Sequence, residues 1–192
     1  HVTFFFNGGA EEPFPGEDRG LLPSPRVKSY DLAPEMSAQA VTDKIIEGLH
    51  THQYGFIVAN FANADMVGHT GNLQATVTAV ETIDRCIGEI FEAVKAMDGT
   101  LVITADHGNA ESMIDTKTGQ VNKEHTKNPV PCILVSSVLQ QQRSLWPPIT
   151  DGDASRLQPV GVLSDVGPTV LTLLGLAVPP SMSGRSLIRL SQ

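Results

Sequence analysis

The chain has 192 residues, enough for one domain with a sizeable core, and 41% of them are hydrophobic, which excludes a disordered polypeptide. A formal net charge of −8 argues against a nucleic-acid or anionic-membrane partner, yet leaves an anionic substrate open because bound cations invert the local charge. Two cysteines, Cys86 and Cys132, are too few for a disulfide framework and are expected to pack as small hydrophobes, and no stretch reaches the ~20 apolar residues of a membrane span.

The chain opens on Val2-Thr3-Phe4-Phe5-Phe6, a β-favouring run closed by Asn7-Gly8-Gly9, which predicts a central strand followed by a loop. It has neither an initiator methionine nor the layout of a signal peptide, so a fragment or a processed chain is expected. Prolines 13, 15, 23, 25 and 34 then break any regular element, and a long loop of this kind is expected to be functional or to cover something. Ser37 is placed to cap a helix carrying Val41, Ile45 and Leu49 at helical spacing. Gly55 to Phe61 reads as a second strand.

The stretch after it, Asn60 to Asn72, reads NFANADMVGHTGN. Asp65 and His69 are four positions apart, so one helical turn would put carboxylate and imidazole on the same side, within reach of one divalent cation. Leu73, Val77, Val80, Ile83, Ile87, Ile90 and Val94 follow in steps of three and four, a strong amphipathic-helix signal ended by Asp98-Gly99. Thr100 to Ala105 is the third expected strand and leads into Asp106-His107-Gly108-Asn109. His125 lies in a polar loop before a fourth strand, Val130 to Ser136. Residues 139–161 read as an irregular surface segment. Ser164-Asp165 should cap a helix with Val166, Val170, Leu173 and Leu174 on one face and Gly175 at its end, and Pro179 to Leu190 should be a final short element closing against the core.

Apolar strands separated by helices imply an α/β domain with a mostly parallel sheet flanked by helices. Ligands bind such sheets beyond the carboxyl ends of strands, where Asp65, His69, Asp106 and His107 all fall. A lone aspartate after a strand is usually a turn former, and His1, His50 and His52 are read as ordinary terminal or surface residues. The combination of Asp65, His69, Asp106, His107 and His125 is a different matter: mixed carboxylate and imidazole ligands suit Zn²⁺ or Mn²⁺. Two ions a few Å apart would fit phosphoryl chemistry. No nucleophile accompanies them, since Ser112, Ser136 and Ser137 lack an activating motif, and no P-loop, Gly-x-Ser-x-Gly or dinucleotide fingerprint is present. Asn109 and Thr126 sit beside ligand candidates, as partners of those ligands or as turn formers.

The ordered set HVTFFFNGG, EEPFPGEDR, SYDLAPEMSA, NFANADMVGHTGN, TADHGNAE, EHTKNPVP and LSDVGPTVLTLLGL resembles the cofactor-independent phosphoglycerate mutase family of the alkaline phosphatase superfamily, from end to end of the chain. The resemblance implies an alkaline-phosphatase-like fold and a cytoplasmic glycolytic isomerase. Such an enzyme interconverts 2- and 3-phosphoglycerate through a phosphoserine, with two Mn²⁺ ions, or Mg²⁺, Co²⁺ or Zn²⁺ in some members. It implies Asp65, His69 and His125 as ligands of one ion and Asp106 and His107 as ligands of the second. The nucleophilic serine, an N-terminal aspartate, a lysine and an inserted arginine-rich substrate domain have no counterpart here and are expected upstream of His1. Residues 1–192 are therefore expected to be the C-terminal segment of the metal-binding phosphatase-type domain, not competent alone and partnered by the missing N-terminal part of the same protein. The alternatives are a metal-dependent phosphatase or phosphopentomutase of the same superfamily, or a non-catalytic metal-binding fragment.

Overall fold

The structure is a computed structural model that describes residues 2–137, 139 and 158–188. The chain divides into two compact units, one formed by residues 1–99 and 107–128 and the other by residues 100–106 and 129–192.

The first unit is helical. Helix α1, Ala38–His50, buries Ala38 and Thr42. Ser37 stands at its N-cap position, but its hydroxyl donates to the Pro23 carbonyl (2.7 Å) instead of accepting from the first turn, so the expected cap serves as a tie to the proline-rich loop. Helix α2, Asn63–Gly68, is the helical turn that the Asp65/His69 spacing requires, with the His69 N–H donating to the Asp65 carbonyl at 3.0 Å. Helix α3, Leu73–Ala96, is capped by Asn72, whose side-chain oxygen accepts from the Ala75 N–H (3.1 Å). Asp98 takes a left-handed φ of 52° and ends the helix where Asp98-Gly99 predicts.

Helix α3 packs on both α1 and α2, but through a face rotated from the expected one in its first turns. Leu73, Val77 and Val80 are exposed, whereas Ala75, Thr76 and Ala79 are buried, followed by Thr82, Cys86, Ile90 and Val94. Small side chains let the two helix axes approach, and Val67 of α2, fully buried, fills the space against Ala75 and Ala79 with Tyr30 and Met36 at the edge. Asn63, 2% exposed, holds the start of α2 in place by donating from Nδ2 to the Pro34 and Glu35 carbonyls at 2.9 and 2.8 Å.

Two expected strands do not form. Val2–Phe6 is a single π-helical turn, with the Gly9 N–H donating back to the Phe4 carbonyl (2.8 Å), and 55–61 carries no regular element. A strand exists only where a neighbour takes its N–H and C=O groups; without one, the first run satisfies its backbone locally. Phe5, Phe6 and Phe56 remain 71%, 59% and 44% exposed, and the tilted Phe6 and Phe56 rings lie 6.2 Å apart.

In the second unit, β1 (Leu101–Thr104) and β2 (Cys132–Val135) fall inside the expected third and fourth strands. They pair antiparallel, Leu101 opposite Val135 and Thr104 opposite Cys132, where the continuous apolar runs predict a parallel sheet. Helix α4, Val166–Leu173, ends on Gly175 in the left-handed region (φ 70°), as expected. Asp165 does not cap it: its carboxylate accepts instead from the Val162 and Arg185 N–H groups (3.0 and 2.8 Å), and the Thr169 hydroxyl accepts from the Leu187 N–H (2.9 Å). Through these bonds residues 179–188 close on α4 and bury Ile188, but as irregular chain and not as the expected final short element. The expected surface segment 139–161 falls mostly outside the described residues. Both cysteines are free thiols, Cys86 buried and Cys132 half-buried. Among the described residues no helix is long and apolar enough to cross a membrane.

Two outcomes are expected. Asn63→Ala leaves the Pro34 and Glu35 carbonyls without their donors and lowers stability by about 1–3 kcal/mol, read from the urea midpoint. In the proline-rich loop, the Arg19 side chain, then the Phe14 N–H and Asn7, hydrogen-bond the Glu17 carboxylate and lower its pKa from the ordinary 4.5 to about 2. The folded loop prefers the ionised form, so Glu17 contributes fully above pH 4.5 and its contribution is lost as pH falls through about 2. A carbon-detected NMR titration should place the Glu17 midpoint near 2 and return it towards 4.5 in Arg19→Ala.

Candidate metal centre

The site lies in the first unit and is assembled from α2 and an irregular hairpin spanning 107–128. The hairpin is held at its base by a bridge between Gly108 and Thr126, and farther out by one between Ile114 and Val121. At its tip the Asp115 side chain accepts from the Lys117 and Thr118 N–H groups at 2.8 and 3.0 Å. The outgoing arm carries His107 and Asn109, and the returning arm carries Lys123 and His125. The basal bridge brings the His107 and His125 rings into a stack with centroids 3.8 Å apart and planes 23° from parallel.

Each arm grips one of the two α2 residues. On the returning arm the Lys123 carbonyl lies 2.6 Å from His69 Nδ1. A carbonyl only accepts, so Nδ1 carries the proton and, in the neutral ring, Nε2 presents a lone pair. On the outgoing arm Asn109 Nδ2 donates to Asp65 Oδ1 at 2.9 Å. The result is a tight triangle: His69 Nε2 and His125 Nε2 are 3.0 Å apart, and each is 3.2 Å from Asp65 Oδ1. His107 joins it, since ligand atoms of Asp65, His107 and His125 all lie within 4.8 Å of one another. Asp65, His69, His107 and His125 are thus brought together. Asp106 is exposed, two residues beyond the end of β1 and in the second unit. His50 and His52 are exposed at the end of α1, in keeping with the ordinary reading, and His1 lies outside the described residues.

With the proton on Nδ1 and the ring neutral, His69 Nε2 and Asp65 Oδ1 are two acceptors 3.2 Å apart that could share one cation. The donor set of imidazole nitrogens and one carboxylate is the kind taken by Zn²⁺ or Mn²⁺. On these grounds the residues present fit a divalent metal ion.

Asn109 is therefore a partner of a ligand candidate, one of the two roles its position allowed. It is 5% exposed, and its Oδ1 is buried without a hydrogen-bond partner, lodged against Gly68. A Cβ at Gly68 would collide with that oxygen, so the glycine admits the carboxamide that holds Asp65. Thr126 acts differently, donating its hydroxyl to Glu111 Oε1. Glu111 also accepts from Asn128 Nδ2 (2.9 Å) and from the Asn109 N–H (2.7 Å). Burial pushes the Glu111 carboxyl up, but the bonds from Thr126, Asn128 and the Asn109 N–H together outweigh it and hold the group below the usual range. Glu111, Asn128 and the Lys123 carbonyl carry no spacing signal in the sequence; only the folded hairpin brings them to the site.

The profile of the Metalloenzyme superfamily matches residues 1–178. The chain belongs to that superfamily. It is 53% identical over 188 residues to the 2,3-bisphosphoglycerate-independent phosphoglycerate mutase of Thermomicrobium roseum, a match covering 98% of this chain and 34% of that protein. The enzyme of the same name from Synechococcus sp. strain JA-3-3Ab is 54% identical, again over 98% of this chain and 34% of its own length. Among solved structures, the phosphoglycerate mutase of Leishmania mexicana crystallised at low cobalt concentration superposes with a TM-score of 0.71 at 34% identity, covering 88% of this chain and 31% of that one. The alkaline-phosphatase-like expectation is thereby met at the level of the family fold. The chain spans about a third of the length of the relatives it matches.

Gly68→Ala should force the Asn109 carboxamide away from Asp65. Overpacking of this kind costs about 1–3 kcal/mol, and thermal unfolding of the variant checks it.

Proposed function

We propose that this chain is the metal-bearing C-terminal portion of a cofactor-independent phosphoglycerate mutase that interconverts 2- and 3-phosphoglycerate through a phosphoserine in the cytoplasm. The observation that carries the reading is the triangle of Asp65 Oδ1, His69 Nε2 and His125 Nε2, with edges of 3.0–3.2 Å. Identity above 50% to phosphoglycerate mutases along nearly the whole chain supports the choice of reaction.

In this reading Asp65, His69 and His125 hold one divalent ion, and Asp106 and His107 contribute to a second. Mn²⁺ is the first choice, with Mg²⁺, Co²⁺ or Zn²⁺ as substitutes. Bound divalent ions supply Lewis-acid stabilisation of a transferring phosphoryl group and lower the pKa of a coordinated hydroxyl. The chain's own residues do the positioning. The Lys123 carbonyl fixes the His69 tautomer so that Nε2 is the ligand atom. Asn109 offsets part of the Asp65 charge through its side-chain Nδ2–H and directs Oδ1 at the two imidazoles. The nucleophilic serine, the charge-offsetting lysine and the substrate-enclosing domain belong to the remaining two thirds of the length seen in the relatives, so the isolated chain is inactive.

The test uses the complete enzyme. Conversion of 3-phosphoglycerate to 2-phosphoglycerate, without added bisphosphoglycerate, should vanish in EDTA and return with Mn²⁺. Asp65→Ala and His69→Ala should each abolish turnover and lower the bound metal measured by elemental analysis. Metal-dependent phosphate release from simple esters without isomerisation would instead make the protein a phosphatase. Unchanged metal content and turnover in both variants would overturn the site assignment.

A further inference from the structure

We infer that Glu111 is a positioning residue for the histidine cluster, an inference that rests on the metal-site reading above. Its carboxylate fastens the returning arm of the hairpin, which carries His125, to the outgoing arm, which carries His107 and Asn109. Oε1 accepts from the Thr126 hydroxyl, one residue beyond His125, and from Asn128 Nδ2 at 2.9 Å. Oε2 accepts from the Asn109 N–H at 2.7 Å. One side chain thus ties down three points that flank both stacked imidazoles and the amide that orients Asp65.

Two further observations place this tie at the hinge of the site. The Thr126 N–H donates to the Gly108 carbonyl (2.8 Å), so the backbone bridge and the carboxylate act on the same pair of residues. Gly108 has no room for a side chain: a Cβ there would collide with both Thr126 Oγ1 and the Glu111 carboxylate. The chain comes this close because the carboxylate occupies the gap between the arms.

The requirement is for a carboxylate specifically. Asn109 N–H, Asn128 Nδ2 and the Thr126 hydroxyl are all donors, and only an ionised carboxylate offers acceptors on both oxygens. A glutamine has the same shape but must turn an NH₂ group towards one of them. Loss of such an outer restraint typically weakens metal binding 10–100-fold without removing a ligand.

The experiment is a calorimetric titration of the complete enzyme with Mn²⁺, and a visible absorption spectrum with Co²⁺, whose band intensities report coordination geometry. Glu111→Ala should weaken Mn²⁺ binding by about 10–100-fold and alter the Co²⁺ bands. Glu111→Gln should shift both in the same direction by less, and it preserves the test if the alanine variant does not fold. Asp115→Ala, which removes the turn-forming carboxylate at the tip of the same hairpin, should leave both readouts within twofold of the parent. Parent-like affinity and spectrum in both Glu111 variants, or an equal loss in Asp115→Ala, would overturn the role of Glu111. Absence of Mn²⁺ binding in the unsubstituted complete enzyme would instead overturn the metal reading, and this inference with it.

Discussion

Asp65 Oδ1 and His69 Nε2, held 3.2 Å apart, are the constraint on which the rest of the site depends. Helical geometry brings the two residues to one side of α2, but it does not aim their atoms. The aim comes from outside the helix, through an amide that donates to the carboxylate and a carbonyl that accepts from the far side of the imidazole. Both come from the same hairpin, on opposite arms. The arms must therefore keep their spacing, which makes the contacts between them as much a part of the site as the ligand candidates.

The difference between what the residues announce and what they do not follows the range of the interaction. The four-residue step from Asp65 to His69 is local and is realised as a local turn. The end of α3 at Asp98 is legible for the same reason. His107 and His125 could be nominated by chemistry, but their stacking depends on the Gly108 and Thr126 bridge, eighteen residues apart in sequence. Glu111 and the Lys123 carbonyl belong entirely to that second kind. Nothing in a glutamate's identity says which donors will surround it, and a carbonyl has no signature at all.

Strands illustrate the same limit. Leu101–Thr104 and Cys132–Val135 supply each other with partners and form a ladder where the apolar runs predict strands. Val2–Phe6 and 55–61 have equally suitable composition and no ladder. β-propensity describes a surface that fits a sheet; pairing decides whether there is one. Helix α3 shows a related limit in apolar periodicity. Valine and leucine dominate any hydrophobic count, but close packing against α2 selects the alanines at 75 and 79, and the larger residues at 73, 77 and 80 face outward.

The contact between His69 and residue 123 has a consequence for how such a site can change over generations. The partner of the imidazole is a main-chain oxygen, so the restraint is indifferent to which side chain occupies position 123. Substitution there cannot delete it; only a change in the course of the backbone can. The orientation of one ligand candidate is thus insulated from ordinary point mutation. The cost of that insulation falls on the glycines and polar residues that set the path of the hairpin, because a change in any of them can move the carbonyl.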